Sequence, residues 1–339
     1  MVFIFFDFTH NKHMAKERFY SEAAQDAFEK SAVLSLIKKT AVSKNIEQSY
    51  VDLRNGALAD QIGKKRGVYY TFDCKENFFQ NPREKKRLIK ALSDAIKDVA
   101  ADLGKSPVVL VVGLGNEGMT ADALGPKAAA MVAVTRHLAN IGAQNSINEF
   151  AKAQGEKQAA NKFGKRNAAV KPAAEKPRAL VAAISPNVPG ETGVQSYDVV
   201  RGVCDRIKPD LVVLIDTLCT SKPERLYSSF QLTTAGVSPG SGVGEKRTGF
   251  DQSSLSVPVL AIGVPLVANV GEIIKQTLSD YCQKQKCAVN YSFIERITRE
   301  KLKNNFILAP KEIDYVAGEC AGIIAASINR AFGNAEVMN

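Results

Sequence analysis

Four short runs of unbroken apolar residues constrain this chain most: PVVLVV (Pro107 to Val112), ALVAAI (Ala179 to Ile184), LVVLID (Leu211 to Asp216) and VPVLAI (Val257 to Ile262). A strand that is apolar on both faces belongs inside a sheet covered on both sides, and parallel pairing needs long crossovers, usually helical. Helical spacing fills the intervals, at about Ala123 to Ala139 and near Ser196 to Ile207, and again from about Val270 to Gln283 and from Pro310 to Phe332. Upstream, residues 83–103 predict an amphipathic helix with Leu88, Leu92, Ile96, Val99 and Leu103 on one face and Gly104 closing it. GVYYTFDC (Gly67 to Cys74) reads as a strand, and residues 15–39 as a helix. Together these predict an α/β fold: three α/β/α layers around a mainly parallel sheet, one domain over residues 1–339. The sequence shows no internal repeat.

Composition narrows the function classes. A chain of 339 residues, 45% hydrophobic and 24% charged, can bury a large core. The opening MVFIFFDF is short for a signal-peptide core and has no basic region before it. No run approaches the roughly 20 apolar residues that span a bilayer, so a cytoplasmic protein without membrane contact is expected. Six cysteines form no CxxC pair and read as reduced thiols. The net charge of +10 is concentrated in residues 151–178, whose eight Lys or Arg against two Glu contribute +6. This stretch reads as part of a basic, solvated insertion at 144–178 rather than a nucleic-acid contact.

Two aspartates are the chemical candidates. Asp122 lies in VVGLGNEGMTADALGP and Asp216 in LVVLIDTLCTS, each just past or at the end of an apolar run. Parallel strands bring such positions to one rim, where paired carboxylates suit acid–base work or a metal. Each also has a plainer reading: Asp122 as a helix N-cap, and Asp216 as a strand-end cap or an ion-pair partner of Lys222 or Arg225. Gly113, Gly115 and Gly118 fit G-x-G-x-x-G after a strand, but VAVTRHL at 132–138 supplies no acidic residue for a ribose. They read better as a tight turn that carries Asp122 to the rim. Gly240, Gly242 and Gly244 alternate in SPGSGVGEKR, a pattern for a nest holding an anion or carbonyl oxygen, or for an ordinary flexible loop. His137 is expected on a helix and Cys219 in small-residue packing. Gly318 and Gly322 suggest close approach of another helix.

The run from Val111 to Pro126 resembles the signature of the bacterial germination proteases, endopeptidases of spore formers that degrade small acid-soluble spore proteins. Three further blocks match in order: Ile215 to Arg247, Val257 to Val267, and LAPKEIDYVAGECAGIIAASINRAF. The resemblance implies that Asp122 and Asp216 are the active-site pair and that the Gly240–Gly244 loop lines the substrate site. It also implies spore proteins as substrate, no cofactor, a homo-oligomer (a tetramer) and a place in the spore core. A fold like that of the hydrogenase maturation proteases is implied too; a metal-reading protease of that type, or a non-catalytic paralogue, is the competing reading. The chain departs from the pattern in a divergent N-terminal segment (1–60) without the Arg-Thr-Asp-Leu-Ala stretch near which the family's zymogen is trimmed, in Ser221 for an Arg, and in Asn269 for an Asp.

Overall fold

The computed structural model describes residues 3–5, 37–61, 64–75, 78–137, 179–237, 249–285, 292–293, 296 and 306–333. The expected helix at 15–39 falls outside these except at its end, where Lys38 and Lys39 open a strand. The basic insertion also lies outside the described residues.

In chain order the strands are β1 (Phe3–Phe5), β2 (Lys38–Ala41), β3 (Ile46–Asp52), β4 (Val68–Cys74), β5 (Val108–Gly113), β6 (Leu180–Ile184), β7 (Leu211–Thr220), β8 (Ser229–Thr233), β9 (Val259–Asn269) and β10 (Phe306–Leu308). The helices are α1 (Gly56–Gln61), α2 (Pro82–Val99), α3 (Leu124–Ala130), α4 (Pro189–Thr192), α5 (Ser196–Ile207), α6 (Gln252–Leu255), α7 (Val270–Lys284) and α8 (Ile313–Ala331). One sheet joins all ten strands in the order β2-β3-β4-β8-β9-β7-β5-β6, with β10 on β9 and β1 on β10. The apolar runs form its parallel part, β9-β7-β5-β6. β8, β4, β3 and β2 continue it in antiparallel fashion, so the α/β class holds in a sheet that is mixed rather than mainly parallel.

Alternation along the strands sorts the core into two sides. Val109, Val111, Val213 and Ile215 pack with α2, α3 and α8, whereas Leu110, Val112, Val212 and Leu214 pack with α5 and α6. Helices therefore cover both faces, giving the three layers expected. α2 starts at Asn81, whose side chain accepts from the N–H groups of Arg83 and Glu84, and it closes at Ala100 rather than at Gly104.

Helix α3 is much shorter than the spacing predicted. Its continuation is diverted by Asn329 of α8, a residue 2% exposed. The side chain of Asn329 accepts from Ala133 N–H at 2.8 Å and donates to Met131 O at 3.3 Å. Thr135 N–H then bonds Val181 O at 2.9 Å, drawing the segment alongside β6. His137 consequently sits exposed in a short 3-10 turn and not on the helix. Gly318 has open space where a side chain would lie, and Gly322 has only Met131 Sδ at 4.0 Å, so neither marks a tight contact among the described residues of this chain, which leaves the subunit-contact reading of these glycines as an expectation.

Candidate active site

The site is built where β5 stops and β7 continues. Val109 to Gly113 of β5 pair with Leu211 to Ile215 of β7, and Leu114 N–H makes one last bond to Ile215 O at 2.8 Å. β5 then leaves the sheet, and the next residue on β7 is Asp216. Asp216 is not the strand end that the sequence suggested, because β7 runs on to Thr220 against β9. It sits at the rim made by the departure of β5.

Glycines bring the second carboxylate back to that rim. A Cβ on Gly113 would lie 2.2 Å from Gly125 O, and one on Gly125 would lie 2.2 Å from Leu114 O and 2.5 Å from Ile215 O. The start of α3 can thus rest directly on the ends of β5 and β7. Gly115 has φ +111°, and its Cβ would fall 2.0 Å from Asp122 O. The tight-turn reading of this Gly-rich stretch fits that geometry.

Asp122 closes a 3-10 turn, Thr120–Asp122, and the N-cap of α3 is Ala123 with no side-chain bond. The helix-cap reading of Asp122 therefore fails. Its Oδ2 instead accepts the backbone N–H of Asn116 at 2.9 Å. Asn116 is itself buried, and its Oδ1 accepts from Gly118 N–H at 2.7 Å, locking the turn. A hydrogen bond donated to a carboxylate favours its ionised form.

Burial, and next the negative charge of Asp122, raise the carboxyl of Asp216 well above the ordinary aspartate range. The N–H of Thr217 bonds Asp216 Oδ1 at 2.9 Å and pulls the other way, with a smaller effect. Arg225, one cation proposed as its partner, lies 4.0 Å from Asp73 instead. The arrangement is one carboxyl inclined to keep a proton beside a second whose charge it feels, which is the requirement for general acid–base work.

Sequence reasoning missed two supports of this turn. Thr120 Oγ1 donates to Asp314 Oδ1 at 2.7 Å, tying the turn to the first turn of α8. Glu191 of α4 borders it from another side, its Oε1 being 3.8 Å from where a Gly118 Cβ would lie. Only the T-A-D spacing hinted at the first, and nothing local at the second. Asn269 accepts from Glu272 N–H at 3.1 Å and so caps α7. Cys219 is half-buried on β7, while Cys74, Cys204 and Cys320 are buried thiols. Gly240, Gly242 and Gly244 lie outside the described residues. Among the described residues no group of three or more His, Cys, Asp or Glu is placed to hold a metal ion, and no helix is long and apolar enough to cross a membrane.

A sheet-rim pair of aspartates, one of them with its carboxyl raised by burial and by the other's charge, defines a candidate acid–base hydrolase. Comparison with known proteins makes the class specific. A family model described as germination protease matches residues 11–153 and 172–287, skipping 154–171 within the basic stretch. A germination protease of Clostridium acetobutylicum is 33% identical over 306 residues, 85% of either chain. Another, of Caldanaerobacter subterraneus subsp. tengcongensis, is 34% identical over 287 residues, 80% of this chain and 79% of that one. This chain belongs to the germination protease family. Among solved structures, a NiFe hydrogenase maturation protease of Thermococcus kodakarensis aligns over 69% of this chain and 99% of its own, at 15% identity and a TM-score of 0.32.

Proposed function

We propose that the chain is an aspartic-type endopeptidase that degrades small acid-soluble spore proteins during germination, with Asp122 and Asp216 as its catalytic pair. The observation that carries this reading is the return of the Asp122 turn onto the strand ends at Leu114 and Ile215, next to Asp216, where burial and the charge of Asp122 raise the Asp216 carboxyl. The pair is read as sharing one proton, held on Asp216.

The roles follow from that asymmetry. The Asp122 carboxylate, held by Asn116 N–H, takes a proton from a water whose oxygen attacks the scissile carbonyl carbon. The Asp216 carboxyl hydrogen-bonds the carbonyl oxygen and gives up its proton as negative charge develops there. Collapse of the tetrahedral species breaks the C–N bond: the proton held by Asp122 passes to the leaving amine, and one hydroxyl of the gem-diol returns its proton to Asp216, which restores the starting pair. The family resemblance supports the substrate, the spore core as compartment, a homo-oligomer, and chemistry without a cofactor.

The test is cleavage of a purified small acid-soluble spore protein, followed by fragment mass, beside Asp122→Asn and Asp216→Asn. Each variant should lose about 10² to 10⁴ in rate. Undiminished cleavage by either would remove that residue from the mechanism.

A further inference from the structure

The sheet ends on one side in β6, and the rim where β5 and β7 part lies just inside that end. In a parallel ladder the N–H and C=O of one residue point the same way, and successive residues alternate. Leu180 N–H bonds the carbonyl of Pro107, just before β5, at 2.8 Å, so Leu180, Ala182 and Ile184 face β5. Val181, Ala183 and Ser185 therefore turn their main-chain groups outward.

The outward edge is closed at its start and open at its rim end. Val181 O accepts from Thr135 N–H at 2.9 Å, and Val181 N–H donates to Thr135 Oγ1 at 3.0 Å. Past Val181, among the described residues, no hydrogen bond reaches the outward N–H or C=O of Ala183 or of Ser185. These groups are within reach of solvent: Ser185 is exposed and Ala182, Ala183 and Ile184 are partly so, whereas Val109 to Val112 of β5 beside them are buried.

The opposite edge of the sheet is handled differently. β2 carries Lys38 and Lys39, both exposed, and lysines on an edge strand deter pairing with another chain. β6 has no charged residue, and a proline comes only at Pro186, beyond its end. The edge left unguarded is the one beside the catalytic rim. Glu191 of α4, in the segment that follows β6, has its Oε1 3.8 Å from where a Gly118 Cβ would lie, so this end of β6 and the Asp122 turn border one another.

We propose that the outer edge of β6 at Ala183 and Ser185 binds the substrate polypeptide as an added strand, through main-chain hydrogen bonds to the Ala183 N–H and C=O. This rests on the reading of Asp122 and Asp216 as the catalytic pair. Strands are spaced ~4.8 Å apart, so a chain added to β6 lies about 14 Å from β7, which carries Asp216, the span of about four extended residues. The paired residue is accordingly about four positions from the scissile bond. The contact is to backbone, so it contributes affinity without selecting a side chain.

The experiment compares Ala183→Pro with the parent for cleavage of a small acid-soluble spore protein. The Ala183 N–H takes no part in the ladder to β5, and proline is tolerated on an edge strand in that orientation. The same change in an Asp216→Asn background is compared by fluorescence anisotropy with labelled spore protein. The expected result is a Tm close to the parent's, a rise of about tenfold in KM and in the dissociation constant, and a kcat within about threefold. In parallel, the parent is given substrate peptides N-methylated at one peptide bond at a time, a measurement that does not depend on how the variant folds. A methyl group on one of the bonds about three to five residues from the scissile bond should raise KM by a similar factor. A folded Ala183→Pro variant that binds as tightly as the parent, or peptides indifferent to methylation in that interval, overturns the proposal and leaves the catalytic pair standing. Self-association of the parent that Ala183→Pro abolishes, with KM unchanged, assigns the edge to a second copy and overturns it equally. Cleavage that survives Asp216→Asn overturns the pair instead, whatever the binding shows.

Discussion

Thr120 and Asp314, 194 positions apart, are joined by a hydrogen bond of 2.7 Å from the Thr120 hydroxyl to Asp314 Oδ1. Thr120 belongs to the 3-10 turn that Asp122 closes, and Asp314 to the first turn of α8. The carboxylate at the rim is therefore steadied by a helix whose other side is part of the core. Asp314→Ala should lower kcat about three- to tenfold, the equivalent of ~1 kcal/mol in positioning, with little change in Tm. Asp314→Asn retains an acceptor and should recover most of the loss. Full activity in the Ala variant would show that the turn holds its shape alone.

Gly115 is the position at which the turn admits least change. Its φ of +111° lies where side chains are strained, and a Cβ would sit 2.0 Å from the Asp122 carbonyl oxygen. The oxygen is backbone, so relief requires moving the very segment that carries the catalytic carboxylate. Gly115→Ala should cost about 3 kcal/mol or more and abolish cleavage, read by denaturant unfolding and by fragment analysis. Gly104→Ala, with open space around it, is the matched control and should leave cleavage unchanged.

The raised carboxyl of Asp216 makes stability depend on pH with a defined sign. In the unfolded chain this aspartate ionises near ~3.9. Folded, it keeps its proton above that, so the native state binds more protons and stability falls as pH rises through the interval. Below the unfolded value both states are protonated and the penalty vanishes. Asp216→Asn should therefore raise Tm at pH 7, with a margin that shrinks towards pH 4. Scanning calorimetry at both values checks this; a Tm below the parent's at pH 7 would contradict it.

What the sequence made legible follows from how local each signal is. β5, β7 and β9 announce themselves because burial on both faces leaves an uninterrupted apolar run. α5 has the predicted bounds, Ser196–Ile207, because its signals lie within its own turns. α3 is cut short by Asn329, some two hundred residues downstream, and no local spacing carries that information. Of the antiparallel extension GVYYTFDC was legible as β4, but β3 and β8 were hidden for a similar reason: Ser49 and Gln231 are polar residues on a sheet face, and their burial depends on partners from other strands. Asp122 and Asp216 were readable as candidates, but the raised carboxyl of Asp216 was not, since it arises from burial and from the charge of Asp122, which the fold brings near.

The central claim, one proton resident on Asp216 beside an ionised Asp122, can be observed without substrate. Difference infrared spectra of the parent minus Asp216→Asn at pH 7 report the carboxyl directly. A protonated-carboxyl stretch present in the parent, and weakened when Asp122→Asn removes the neighbouring charge, is the predicted result. A carboxylate band alone at position 216, insensitive to Asp122→Asn, would contradict the account.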